Sequence, residues 1–360
     1  MNTLVTILQG DCIDVMRTLP DDSIDCVVTS PPYWGLRDYG VAGQMGLESS
    51  LAEHLAVMVN VFAEVHRILK PSGTVWVNYG DCYASTPNGR KADDITGDDR
   101  RFRDKPFSTI GGVLKPKDLC MMPNRLAIAL QEYGWWVRSE IIWGKPNPMP
   151  ESVTDRPATA HEKIFLLTKS ARYWYDAEAV RQNRRSNEDA NTFRGGSYTA
   201  GTVDKRQVRG NKIVPTVGKQ RGHSRRHAGF NERWDTMNRE EQQANGRHLK
   251  NYEAAPVQVW EIATRPCKFA HFATFPPELA ERCILAGCPV GGHVLDPFGG
   301  AGTTGLVAAQ HNRQATLIEL NPEYIDIAQT RLRAGLQRVK TDVIHKPEFN
   351  NLPLFQEPSA

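Results

Sequence analysis

Short apolar runs alternate along this chain with longer segments whose apolar positions recur at helical spacing. Val5-Thr6-Ile7-Leu8, Ile24 to Thr29, Thr74 to Tyr79, Trp135 to Trp143, Glu162 to Thr168, His293 to Asp296 and Ala315 to Glu319 read as strands. Ile13 to Leu19, Leu51 to Leu69, Asn124 to Tyr133, Pro277 to Ala286, Thr303 to Gln310 and Pro322 to Leu332 read as helices. The strongest of these is Leu51 to Leu69. It carries an apolar stripe through Leu55, Met58, Phe62, Val65 and Ile68, and Pro71-Ser72-Gly73 closes it. Strands alternating with helices predict an α/β fold with a largely parallel sheet. No segment repeats internally.

Two strand ends carry unusual chemistry. After Cys26-Val27-Val28 comes Thr29-Ser30-Pro31-Pro32-Tyr33-Trp34. Neither proline can donate to a sheet ladder, so the strand stops there. A stiff turn then presents Ser30, a free carbonyl and an aromatic ring at the carboxyl end, where open α/β sheets bind ligands. The second segment is His293-Val294-Leu295-Asp296-Pro297-Phe298-Gly299-Gly300-Ala301-Gly302-Thr303-Thr304-Gly305. It reads as strand, glycine turn and helix start. The helix end offers N–H groups and a positive dipole to an anion. Gly300, Gly302 and Gly305 fit G-x-G-x-x-G, and Glu319 closes the next apolar run at the offset of a ribose-hydroxyl acceptor. By itself this half fits a nicotinamide site as well as an S-adenosylmethionine site.

Ser-Pro-Pro-Tyr resembles the catalytic loop of amino-group DNA methyltransferases, which methylate the exocyclic nitrogen of cytosine or adenine. Asp296-Pro297-Phe298 ahead of the glycines resembles the S-adenosylmethionine motif of the same family. The catalytic motif precedes the cofactor motif, an order similar to the β group of that family. The resemblance covers most of residues 1–180 and 256–335. It implies a circularly permuted, Rossmann-like fold around a seven-stranded sheet, with S-adenosyl-L-methionine as cofactor. Residues 1–180 would be the catalytic half, with an inserted loop at 85–117, and residues 256–335 the cofactor half. The loop, with its clustered charges, reads as a mobile segment at the rim of the site.

The resemblance also assigns residues. Ser30, Pro31, Pro32 and Tyr33 form the catalytic loop. In it Ser30 Oγ and the Pro31 carbonyl accept from the reacting amine, and Tyr33 stacks on an extruded base. Trp34 reads equally as pocket lining or core. Asp296, Phe298, Gly300 and Gly302 surround the methionine part, with Thr303 and Thr304 near its carboxylate, and Glu319 takes the ribose hydroxyls. Asp11 resembles the residue that meets the adenine amine, with a helix cap as the competing reading. Phe275, in His271-Phe272-Ala273-Thr274-Phe275-Pro276, resembles the segment covering the methionine end. Pro266-Cys267 is similar to the nucleophile of cytosine C5 methyltransferases, but its neighbours and order do not match.

Charge adds a partner. From Arg181 to Lys250 there are 16 Lys and Arg against 7 Asp and Glu, a balance of +9, so the rest of this +3 chain carries −6. The stretch is polar, with Arg184-Arg185, Lys205-Arg206 and Arg221-Gly222-His223-Ser224-Arg225-Arg226-His227. Such a footprint suits nucleic acid. Residues 181–255 are therefore read as a target-recognition insert for double-stranded DNA, contacted through Arg184, Arg185, Lys205, Arg206, Arg221, Arg225 and Arg226. The 340–360 tail is polar and reads as frayed.

Composition sets further bounds. No apolar run approaches the ~18 residues of a membrane span, and the N-terminus lacks a signal-peptide pattern. The 7 cysteines are odd in number and scattered, so a reduced, cytoplasmic setting without structural zinc is expected. Serine at the head of the catalytic motif correlates with cytosine, which makes N4-methylcytosine the leading product and N6-methyladenine the runner-up. A nicotinamide oxidoreductase and a catalytically silent DNA-binding protein are the other classes considered. The resemblance admits a homodimer and a cognate restriction endonuclease as partners.

Overall fold

The computed structural model describes residues 4–86, 107–180, 206–209, 212–215, 258–265, 275–336 and 340–344. The chain divides into two compact units, Met1–Val180 with Gln258–Ala360, and Arg181–Val257. In the second unit the described residues form one antiparallel hairpin, β6 (Arg206–Arg209) with β7 (Lys212–Pro215). No strand was expected there, because the stretch lacks apolar alternation. Arg184, Arg185, Lys205, Arg221, Arg225 and Arg226 lie outside the described residues, and of Arg206 only the backbone is described.

The first unit is built on a nine-stranded sheet of order β11-β1-β10-β9-β2-β3-β5-β4-β8. Its strands are β1 (Leu4–Gln9), β2 (Ile24–Thr29), β3 (Leu69–Tyr79), β4 (Trp136–Gly144), β5 (His161–Thr168), β8 (Val259–Glu261), β9 (His293–Asp296), β10 (Gln314–Glu319) and β11 (Lys340–Ile344). All neighbours run parallel except β5, which is antiparallel to both β3 and β4. The expected seven strands form the centre, and β11 and β8 add the two edges. Residues 340–344, expected to fray, are held by the β1 ladder (Val5 opposite Thr341, Ile7 opposite Val343). The proline-containing turn expected after the long helix is instead part of β3. The ladder absorbs it by a register jump, pairing Ile24 with Leu69 but Cys26 with Thr74.

Among the described residues six helices cover the sheet: α1 (Cys12–Met16), α2 (Leu51–Ile68), α3 (Met122–Tyr133), α4 (Pro277–Gly287), α5 (Thr303–Gln310) and α6 (Pro322–Gly335). Strand side chains alternate between faces. Val27, Val75, Val77 and Leu295 pack with α1, α2 and α3, whereas Cys26, Val28, Trp76 and Val294 pack with α4, α5 and α6. The result is a three-layer α/β/α body. Cys283 and Cys288 are small buried members of the second core. No helix among the described residues is long and apolar enough to cross a membrane.

This topology fixes the site. The chain leaves β2 toward the α2 face and leaves β9 toward the α5 face. The two strands are neighbours, with Val27 opposite Leu295. Departure of adjacent parallel strands to opposite faces opens a crevice at their carboxyl ends. The same edge collects the ends of β1, β3, β4 and β10 and the start of β5.

Candidate active site

The proline loop and the glycine loop meet in this crevice, and Asp296 joins them. Thr29 Oγ1 donates to Asp296 Oδ1 at 2.7 Å, Thr304 Oγ1 donates to Asp296 Oδ2 at 2.7 Å, and Phe298 N donates to Oδ1 at 3.1 Å. Asp296 is fully buried. Burial pushes its carboxyl up to about 7, with the charge of Glu319 adding to the effect and the three donors opposing it. Thr304 also points at the Val28 carbonyl, 3.3 Å away. Thr303 Oγ1 accepts from Arg331 at 3.1 Å, and the same guanidinium bonds the Ala301 carbonyl. Both threonine hydroxyls thus have protein partners. An anion at this helix end would meet backbone N–H groups instead.

The glycines divide their labour. A Cβ at Gly299 would strike Leu317 Cβ at 2.8 Å, and one at Gly305 would strike Leu317 Cδ1 at 2.9 Å and Val5 Cγ1 at 3.0 Å. These two permit close packing on β10 and β1. Gly300 (φ 48°) and Gly302 (φ 77°) adopt the left-handed backbone. Over Gly300 the nearest atom is the Phe298 carbonyl at 3.9 Å, so space is open there. α5 begins after Gly302 with no side-chain cap, leaving its first N–H groups for another acceptor. Glu319 Oε2 accepts from Gly300 N and Oε1 from Asn321 N, each at 2.8 Å. Burial pushes its carboxyl up. One lone pair of each oxygen is used, so the group can still accept hydroxyls. Asp11 caps α1, accepting from Ile13 N at 2.8 Å and Asp14 N at 3.2 Å. Phe275 and Phe298 are half-buried against the two cores. His271 and Cys267 lie outside the described residues.

On the proline loop, Pro31 is buried and Ser30, Pro32 and Tyr33 are half-buried. Trp34 is core, donating its Nε1 proton to the Glu48 carbonyl at 2.9 Å. Part of the expected mobile rim loop is packed here too. Phe107 lies 5.9 Å from the Trp34 ring, and Leu114 is buried. Residues 87–106 lie outside the described residues.

The profile of the DNA methylase family, of the N6/N4 methyltransferase type, matches residues 24–330. The chain belongs to this family. It is 43% identical over 328 residues to the type II methyltransferase M.Cfr9I of Citrobacter freundii, covering 91% of this chain and 87% of that protein. It is 37% identical to M.SmaI of Serratia marcescens, over 91% and 90% of the two chains. Two solved structures share the fold. The cytosine-N4-specific PvuII DNA methyltransferase aligns with a TM-score of 0.54 at 16% identity, over 95% of this chain and 97% of that one. A Thermus thermophilus protein described as a DNA modification methylase, complexed with S-adenosyl-L-methionine, aligns with a TM-score of 0.52 at 21% identity, over 95% and 100%.

Behind the proline loop of this DNA methylase lie two polar networks that sequence reasoning missed. In the first, the Tyr33 hydroxyl donates to Glu162 Oε2 at 2.9 Å, Asn78 Nδ2 bridges to both (3.2 and 2.9 Å), and Lys145 Nζ meets Glu162 Oε1 at 2.5 Å. In the second, buried His54 lies between Glu48 Oε2 and the Tyr79 hydroxyl, each 2.7 Å away, and that hydroxyl reaches the Pro32 carbonyl at 3.5 Å. Burial pushes the Glu48 carboxyl up, but bonds from His54 and Gly46 N outweigh it and hold it below its ordinary value. Tyr39 and Tyr324 stand edge to face at 6.4 Å beside Glu319.

Proposed function

We propose that this DNA methylase transfers a methyl group from S-adenosyl-L-methionine to the N4 amine of a cytosine flipped out of double-stranded DNA. The observation that carries the reading is the Thr29–Asp296 bond, which places the Ser30 loop beside the open glycine turn. When bound, the cofactor supplies an electrophilic methyl on a cationic sulfur. Asp296, Phe298, Gly300 and Gly302 hold its methionine part, and Phe275 covers that end. The free N–H groups at Thr303 and Thr304 take its carboxylate, Glu319 its ribose hydroxyls and Asp11 its adenine amine.

An exocyclic amine is a weak nucleophile because its lone pair is delocalised into the ring. Ser30 Oγ and the Pro31 carbonyl accept its two hydrogens and localise the pair. Among the described residues no donor is bonded to that carbonyl. Tyr33, packed edge-on at 5.0 Å to Tyr79 and seated on Gly80, offers its ring to the flipped base. Most of the rate comes from positioning two bound reactants.

Mass spectrometry of nucleosides from DNA treated with enzyme and cofactor tests the reading. N4-methylcytosine is the expected product. N6-methyladenine would keep the mechanism and change the base, and the absence of both products would refute the reading. The reading also includes residues 181–255 as the DNA reader, action in the cytoplasm and, as for type II systems, a cognate restriction endonuclease.

Arg225 and Arg226 serve as phosphate contacts in the reader. Replacing both by alanine is expected to weaken DNA binding roughly 10-fold at low salt and to flatten the slope of log affinity against log salt by about 2. Fluorescence anisotropy at several salt concentrations measures both, and an unchanged slope would remove these two residues from the interface.

A further inference from the structure

We propose that Glu162 is the final acceptor of the proton that the base amine loses, reached from Ser30 through the Tyr33 hydroxyl. The inference rests on the role given to Ser30 above. Ser30 Oγ donates to the Tyr33 hydroxyl oxygen at 3.4 Å, and that hydroxyl donates to Glu162 Oε2 at 2.9 Å. The chain of donors therefore already points from the reacting centre toward a carboxylate. Its first link is long, as catalytic bonds often are before substrate binds.

The surroundings suit an acceptor. Tyr33 and Glu162 are 129 positions apart in sequence and meet because β3 and β5 pair antiparallel, with Asn78 opposite Ile164. Lys145 supplies the counter-charge on Oε1, leaving Oε2 to Tyr33 and Asn78. The Asn78 amide turns its NH2 toward Tyr33 and Glu162, and among the described residues its own buried Oδ1 has no partner. An orphaned buried acceptor is costly. The reverse orientation would set the amide carbonyl against a carboxylate oxygen. Tyr33 is held well above the usual phenol range, by burial first and by the Glu162 charge second, so it works as a neutral phenol that receives one proton as it gives up another.

The step balances. Methyl transfer forms the N–C bond and breaks the C–S bond, whose electron pair stays on sulfur, leaving the amine nitrogen cationic. One N–H bond then breaks toward Ser30 Oγ. The Ser30 proton moves to the Tyr33 oxygen and the Tyr33 proton to Glu162 Oε2. Serine and tyrosine end neutral, as they began, and the carboxylate becomes a carboxylic acid. Its side chain is 18% exposed, a route for returning the proton to water.

Single-turnover methylation of unmethylated genomic DNA by the full-length protein tests this, because product release masks the chemical step in many enzymes. Glu162→Gln keeps the size and an acceptor but weakens the base. It is expected to slow the step about 100-fold or more, the lower end of the range of general acid–base catalysis. Cofactor affinity should stay within about 2-fold, since no bond of Glu162 reaches the glycine turn. Tyr33→Phe should do the same, and the double variant should be no slower than the worse single, because both cut one path.

A rate for Glu162→Gln within about 3-fold of wild type, or losses that multiply in the double variant, would overturn the relay. Full activity of Ser30→Ala would instead overturn the reading of Ser30. Loss of activity in Ser30→Ala alone would leave that reading standing and reject Glu162. A readout independent of turnover is the ζ-carbon resonance of labelled Tyr33 in cofactor-free protein. It should shift in Glu162→Gln, and an unmoved resonance rejects the bond. If Glu162→Gln does not fold, Tyr33→Phe decides, since the Asn78–Glu162 bond survives in it, and a wild-type rate there rejects the relay.

Discussion

Ser30→Ala is expected to lower kcat/KM for DNA methylation about 100-fold while cofactor affinity stays within about 2-fold of wild type. The magnitude follows from the task of the loop. Localising a delocalised lone pair needs acceptors fixed in place before the reaction, and losing one preorganised polar contact at a reacting centre costs on the order of 10²–10³ in rate. The selectivity follows from the geometry. Among the described residues the side-chain hydrogen bond of Ser30 Oγ runs to Tyr33 at 3.4 Å and not to the glycine turn. Its removal should therefore cost the fold less than about 1 kcal/mol. Single-turnover rates and calorimetric cofactor titration separate the two effects. Unchanged turnover would take Ser30 out of the mechanism, and a matching loss of cofactor affinity would make it a scaffold residue.

The backbone of this site was legible in the sequence because its strands are buried on both faces. Cys26-Val27-Val28 and Val294-Leu295 read as continuous apolar runs ending in proline or glycine, the pattern of a parallel sheet. That β2 and β9 lie side by side was not legible, because strand order is set by pairing between distant segments. Edge strands were not legible. Lys340-Thr341-Asp342-Val343-Ile344 is held by backbone bonds to β1 and needs no apolar pattern. The polar networks were hidden for another reason. Glu162 and Asn78 acquire their roles only through the β3–β5 register. His54 interrupts the apolar stripe of α2, yet it is fully buried because Glu48 and the Tyr79 hydroxyl satisfy both ring nitrogens. Asp296 was singled out by its motif as a cofactor residue, while its bond to Thr29 spans 267 positions that no local pattern could bridge.

That bond makes Asp296→Ala the substitution with the largest expected cost to the fold. It would strip the acceptor from Thr29 Oγ1, Thr304 Oγ1 and Phe298 N, of which only Thr304 has a fallback, the Val28 carbonyl. Orphaned buried donors cost about 1–3 kcal/mol each, so a loss of roughly 3 kcal/mol is expected, with cofactor affinity falling more than about 10-fold as the two loops separate. Asp296→Asn is gentler and reports the charge. Asp296 sits at about 7 in the folded protein against an ordinary 3.8, so between those values the folded state binds more protons than the unfolded chain. Its contribution is therefore greatest below about pH 4 and lost as pH rises to about 7, on the order of 4 kcal/mol in all. His293 opposes it. Burial depresses that imidazole to about 4 from an ordinary 6.5, so its contribution is present above pH 6.5 and lost as pH falls to about 4. The two slopes offset one another in wild type between about pH 4 and 6.5. In Asp296→Asn the His293 slope is no longer opposed by Asp296. Urea unfolding from pH 4.5 to 7.5 should show the variant gaining on wild type as pH rises, by about 3 kcal/mol over that window if the full shift is present. A constant difference would mean that the three donors keep Asp296 ionised throughout, and that burial does not dominate at the joint between the two loops.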